Sequence, residues 1–146
     1  MIEIKDLKKS FGDKKVLDGV NLKIPKGITL VIIGRSGCGK SVLLKHIIGL
    51  LKPDDGEIYI EGKNIVTMDE KGIYKIRKKF GFLFQGAALF DSMSVEENVA
   101  LALKENTDFS EKEIKDIVKE KLDLVGLPNT EKMRPADLSG VAPGAS

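Results

Sequence analysis

Apolar and polar residues alternate in two stretches near the start of the chain, Ile2-Glu-Ile-Lys5 and Val20-Asn-Leu-Lys-Ile24, separated by the turn formers Gly12 and Asp13. A two-residue period puts the apolar side chains on one face, so both stretches are expected as half-exposed strands. Ile28-Thr-Leu-Val-Ile-Ile33 differs: it is an uninterrupted, β-branched apolar run ending at Gly34, the pattern of a strand buried on both faces of a parallel sheet. The period then changes. From Lys40 to Leu51 the residues Leu43, Leu44, Ile47, Ile48 and Leu51 recur at helical spacing, and Pro53-Asp54-Asp55-Gly56 ends the segment. Alternation returns in Glu57-Ile-Tyr-Ile-Glu61, which Gly62 and Lys63 turn. Phe80-Gly-Phe-Leu-Phe84 is expected as another short apolar strand, ending at Gln85.

Beyond Gln85 the pattern is helical. Ser94 with Glu97, and Ser110 with Glu113, have the spacing of capping boxes, in which serine and glutamate satisfy the first free amides of a helix. The second of these helices carries Ile114, Ile117, Val118 and Leu122 on one face and meets Gly126 and Pro128 as stop signals. No internal repeat is visible. The tail Val141-Ala-Pro-Gly-Ala-Ser146 is small and turn-prone, the composition of a linker or terminal extension.

Composition narrows the function classes. The 146 residues suffice for one compact, soluble domain, and 24 Lys+Arg against 22 Asp+Glu leave a net charge of +2, too small for a global field that recruits nucleic acid or an anionic membrane. One cysteine excludes an internal disulfide framework, and no N-terminal pattern marks a signal peptide, so the cytoplasm is the expected compartment. No window reaches the roughly 18 consecutive apolar residues of a membrane span.

The chemistry lies in Gly34-Arg35-Ser36-Gly37-Cys38-Gly39-Lys40-Ser41, a full match to G-x-x-x-x-G-K-[ST] between an expected buried strand and an expected helix. Glycines let successive backbone amides converge on phosphate oxygens, and the helix N-terminus adds its partial positive charge at the same place. Ser36 to Ser41 are therefore the expected nucleotide-binding residues, with Lys40 bridging the terminal phosphates. The Ser41 hydroxyl would be an oxygen ligand to the Mg²⁺ that accompanies ATP. Cys38 could act as a redox switch, because a thiol at a helix N-terminus acidifies; the alternative, which its place between two glycines favours, is a contribution through the backbone amide alone. His46, the only histidine, reads as a helix-surface or packing residue. Arg77-Lys78-Lys79 reads as a solvated face.

That loop, then Phe84-Gln85-Gly86-Ala87-Ala88-Leu89-Phe90-Asp91-Ser92-Met93-Ser94-Val95-Glu96-Glu97-Asn98-Val99, then Leu138-Ser139-Gly140, resembles in order and spacing an ATP-binding-cassette (ABC) transporter ATPase, over essentially the whole chain to Gly140. The wording around Gln85 looks most like the subfamily serving Mce-type phospholipid transport. The resemblance implies an α/β fold: a P-loop NTPase-like sheet core with an N-terminal antiparallel β subdomain and a C-terminal helical subdomain, truncated. The expected division is 1–92 for the nucleotide-binding core with its β subdomain, 93–140 for the helical subdomain and 141–146 for a tail outside the family pattern. It also implies that Phe11 stacks on adenine, with apolar contact from Val16. Gln85 becomes the glutamine that touches Mg²⁺ or the attacking water and reports nucleotide state to a membrane subunit. Ser139 and Gly140 would contact the γ-phosphate held by a second, head-to-tail copy. The implied ligands are ATP and Mg²⁺, the implied partners are transmembrane permease subunits and a homodimer or other self-association, and the implied place is the inner face of the cell membrane.

The family's remaining motifs do not follow. After Gly140 the sequence departs from the usual signature, and no residue stands where the family has its second magnesium motif, its water-polarising glutamate and its switch histidine. Asp69-Glu70 does not supply that motif, because it precedes Gln85 and Thr67 breaks the apolar run before it; a turn is expected there. Phosphoryl transfer needs a positioned nucleophile as well as a phosphate cradle, which argues against hydrolysis by this chain alone. The absent strands would leave apolar sheet edges uncovered, pointing to self-association or domain swapping. Two alternatives use the same residues: a non-hydrolysing module that docks a membrane partner through the helical face from Ala88 to Leu103, and a small-molecule kinase, in which the motifs around Gln85 and Leu138 have no place.

Overall fold

The computed structural model describes residues 1–84 and 88–140. Gln85 and the tail 141–146 lie outside them, as do the side chains at 139 and 140. The chain divides into two compact units, Met1–Phe82 and Leu83–Ser146.

The first unit is built on a four-stranded antiparallel sheet of order β2-β1-β3-β4, with β1 Ile2–Phe11, β2 Lys14–Ile24, β3 Asp55–Ile60 and β4 Lys63–Asn64. β1 is longer than its alternation suggests, because a bulge between Ile4 and Leu7 resets the period so that both remain buried although they stand three apart. Asp6, within the bulge, has φ 45° and donates its amide to Asn21 Oδ1 at 3.0 Å. Gly56 faces the bulge with φ 96°, and a Cβ there would lie 2.5 Å from the Asp6 carbonyl oxygen. Only glycine lets the two strands close at that point.

Against the sheet pack α1, Lys40–Ile47, and α2, Glu70–Arg77. Ile4, Leu7, Leu43, Ile47, Ile58 and Ile76 belong to one core cluster, each aliphatic side chain contributing about 1.5–3 kcal/mol by leaving water. α1 ends four residues before the expected Leu51, since Gly49 takes φ 68° and Arg77 donates to the carbonyls of Ile48 at 3.3 Å and Gly49 at 2.6 Å. The basic run is exposed, as expected of a solvated face, and its side chains find surface partners there: Lys79 pairs with Glu61, and the Lys78 ammonium lies 4.9 Å from the Tyr74 ring centroid. His46 is a packing residue, fully buried, its Nδ1–H donating to the Val42 carbonyl at 2.7 Å. Asp69 caps α2 by accepting from the Gly72 amide at 2.8 Å, so Asp69-Glu70 is a helix start where a turn was expected.

Two expected strands do not form. Residues 28–33 and 80–84 have no strand assignment, and Val31, Ile33 and Leu83 are 74%, 88% and 86% exposed. A strand exists only as part of a ladder, and no strand among the described residues pairs with 28–33. Ile32 packs against the core of the first unit, whereas the rest of the run that reads as doubly buried stands exposed.

The second unit contains α3, Val95–Asn106, α4, Glu111–Leu124, and a 3₁₀ turn, Pro135–Gly140. Both capping boxes are present: Ser94 and Glu97, and Ser110 and Glu113, exchange side-chain and backbone bonds. Val95, Ala100, Ile114, Val118 and Leu122 make a separate core. Asn98 donates to the carbonyls of Phe90, Met93 and Ser94 and accepts the Phe90 amide, tying the approach segment to α3. No helix among the described residues is long and apolar enough to cross a membrane.

Gly56→Ala combines a disfavoured φ with a backbone clash, so a loss of more than about 2 kcal/mol is expected in urea unfolding of the first unit. The Ser94 amide and the Ser110 hydroxyl hold the Glu97 and Glu113 carboxyls below their ordinary range. The stability they contribute is therefore full above the unfolded-state value and is lost as pH falls through the folded-state values. Melting followed by circular dichroism is expected to show the decline on acidification, flattened in the Glu97→Gln, Glu113→Gln double variant.

Candidate functional site

The loop after residue 33 enters α1 through two glycines in left-handed conformation, Gly37 at φ 74° and Gly39 at φ 98°. Gly39 is the N-cap, its carbonyl accepting the first helical bond from the Leu43 amide at 2.8 Å, and no side chain caps the helix. The amides of the first turn, beginning at Lys40, are thus left for an external acceptor, where the helix dipole favours an anion.

Lys40 supplies the charge. Its Nζ donates to the Gly34 carbonyl at 2.7 Å and the Arg35 carbonyl at 2.8 Å, and lies 3.7 Å from Cys38 Sγ. The ammonium is held inside the curl of the loop, where phosphate oxygens could replace the two neutral carbonyls with charge-assisted bonds. The exposed Cys38 meets the loop in two ways, its amide donating to the Arg35 carbonyl at 3.4 Å and its sulfur folding over Gly34. Ser36 and Ser41 are exposed, and Ser41 stands in the first helical turn. No group of three or more His, Cys, Asp or Glu among the described residues could hold a metal, so a divalent cation at this loop would depend on the Ser41 hydroxyl and on oxygens that the anion brings.

The β1–β2 hairpin lies against this loop. A Cβ at Gly39 would come within 3.0 Å of both Val16 Cγ1 and the Val16 carbonyl oxygen, so the helix start touches β2 without intervening side chain. Phe11, at the end of β1 and paired with Lys14, keeps 49% of its surface exposed. The Lys9 ammonium lies 5.7 Å from the Phe11 ring centroid, and Asp54 holds Lys9 at 2.7 Å. Sequence reasoning missed this arrangement: Asp54 reads only as a helix stop, and its spacing to Lys9 carries no pattern.

Phe11, Val16 and the residues from Ser36 to Ser41 thus belong to one unit, whereas Ser139 and Gly140 fall in the 3₁₀ turn of the other, and Gln85 lies outside the described residues. A hollow of about 730 Å³ in the first unit, lined by Ile58, Ile65, Met68 and Ile73 among others, includes none of residues 34–41.

Residues 17–142 match the family described as ABC transporter. The chain is 50% identical over 139 residues to the "Probable ribonucleotide transport ATP-binding protein mkl" of Mycobacterium leprae, covering 95% of this chain and 40% of that protein. It is 41% identical over 140 residues to the "Intermembrane phospholipid transport system ATP-binding protein MlaF" of Haemophilus influenzae, covering 96% and 53%. Among solved structures, the ATP-binding cassette MJ0796, a dimer in a post-hydrolysis state bound to ADP and Pi, superposes with a TM-score of 0.85 at 34% identity, over 96% of this chain and 64% of that one. The chain thus spans about two fifths to one half of the length of these curated relatives. The superposition bears out the α/β cassette fold class expected from the sequence, although the two apolar runs form no strands.

Gly39→Ala places a methyl group against the Val16 backbone at a φ that side chains disfavour, separating the hairpin from the loop. A loss of about 1–3 kcal/mol in urea unfolding is expected, together with weaker anion binding in calorimetry.

Proposed function

The chain belongs to the ABC transporter family, and from that premise we propose that it is the nucleotide-binding portion of an ATP-driven transport subunit. The observation that carries this reading is the Lys40 ammonium inside a loop whose two left-handed glycines lead into an uncapped helix. In this reading the amides from Ser36 to Ser41 receive the phosphates of ATP, Lys40 exchanges its loop carbonyls for phosphate oxygens, and Ser41 holds Mg²⁺, which would neutralise phosphate charge when bound. Phe11 offers a stacking face to adenine and Val16 an apolar contact.

The remaining roles belong to the assembled transporter. Gln85 senses the metal or the attacking water, and Ser139 with Gly140 completes the ATP site of a second copy placed head to tail. Permease subunits are received near Leu89 and Phe90, which are 48% and 52% exposed beside the Asn98 clasp. ATP closure drives the permease, and hydrolysis in the full-length relatives resets it. A lipid is our proposed cargo, supported by the wording around Gln85 and by the phospholipid system for which MlaF is named. The chain would work at the cytoplasmic face of a membrane.

Titration of Mg-ATP into the purified chain is the direct test. Lys40→Ala removes charge-assisted bonds of about 1.5–3 kcal/mol each, so binding is expected to weaken about tenfold or more. Equal affinity in the two proteins would refute the nucleotide reading.

A further inference from the structure

Lys9 and Phe11 stand two residues apart on β1 and so share a face of the strand. An exposed lysine ordinarily distributes its ammonium over many rotamers. Here the ammonium is fixed. Asp54 divides its two carboxylate oxygens between Lys9 Nζ and the Ser10 amide, both at 2.7 Å, and its own amide donates to the Lys8 carbonyl at 3.0 Å. Three consecutive β1 residues are gripped immediately before Phe11 by one aspartate from the turn ahead of β3. The Lys9 side chain is only 18% exposed, and the neighbouring Asp55 is engaged elsewhere, with Lys8 and the Gly56 amide.

We propose that Asp54 is a positioning residue for nucleotide-base recognition: through Lys9 it sets the Phe11 ring, one face toward the ammonium and the other presented to the base. This rests on the stacking role proposed above for Phe11. A cation over one face of an aromatic ring attracts its negative quadrupole and restrains the ring. Restraint matters because stacking rewards only a ring held parallel to the base, and a freely turning exposed phenylalanine gives up part of that gain on binding. The Lys9 and Ser10 bonds also keep the Asp54 carboxyl below its ordinary range, so the anchor keeps its charge further into acid than an ordinary carboxylate does.

The test compares Mg-ATP with Mg-tripolyphosphate, which has phosphates but no base, by calorimetry on the full chain. Asp54→Asn and Lys9→Met are expected to weaken ATP about three- to tenfold and to leave tripolyphosphate unchanged, while Lys9→Arg keeps ATP binding near that of the unaltered chain. Unchanged tripolyphosphate binding also reports an intact fold. Equal weakening of both ligands, or no weakening of ATP, would overturn the proposal. Phe11→Ala separates this inference from the reading beneath it. If Phe11→Ala weakens ATP alone while Lys9→Met does not, stacking holds and the Asp54–Lys9 positioning fails. If Phe11→Ala leaves the ratio of the two ligands unchanged, the stacking reading fails and takes the inference with it.

Discussion

The site depends on a direct approach of backbone to strand, where Gly39 meets the Val16 carbonyl with no side chain between them. That approach sets where α1 begins relative to the β1–β2 hairpin, and hence where the uncapped amides of the helix point. It requires a residue that both lacks a Cβ and accepts φ 98°, and only glycine meets both demands without strain. The same contact sets the β1–β2 hairpin, which carries Phe11 and Val16, beside the candidate site.

Around that contact the electrostatics are arranged with little free charge. The Lys40 ammonium is already desolvated in part by two loop carbonyls, so exchange for phosphate oxygens trades neutral acceptors for charged ones in place. Lys40 is itself the first residue of α1, so an anion bound at the loop would meet two sources of positive potential. A net charge of +2 over the chain contributes little beside this local field.

The helical unit is stabilised by separate means. Two capping boxes fix the starts of α3 and α4, Asn98 binds the preceding segment, and a small aliphatic core joins the two helices. These interactions are local in sequence, with partners four to eight residues apart for Asn98 and three for the caps. Such a unit forms its helices from its own residues. The sheet of the first unit rests instead on partners distant in sequence, β1 pairing with β3 across more than forty residues.

Motifs whose physics is local were therefore legible in the sequence. The capping serines, the glycine-lysine loop, the buried face of α4 and the alternating strands follow from spacing and backbone chemistry alone, and the family follows from the order of the motifs. The bulge at Asp6, the grip of Asp54 on Lys9 and Ser10, and the Arg77 bonds that end α1 join residues distant in sequence, and no period records such pairings. Residues 28–33 show the difference most clearly. Their composition determined that they are apolar and β-branched, but whether a strand forms was decided by tertiary neighbours, because a ladder needs a second set of amides and carbonyls and a single segment cannot provide it.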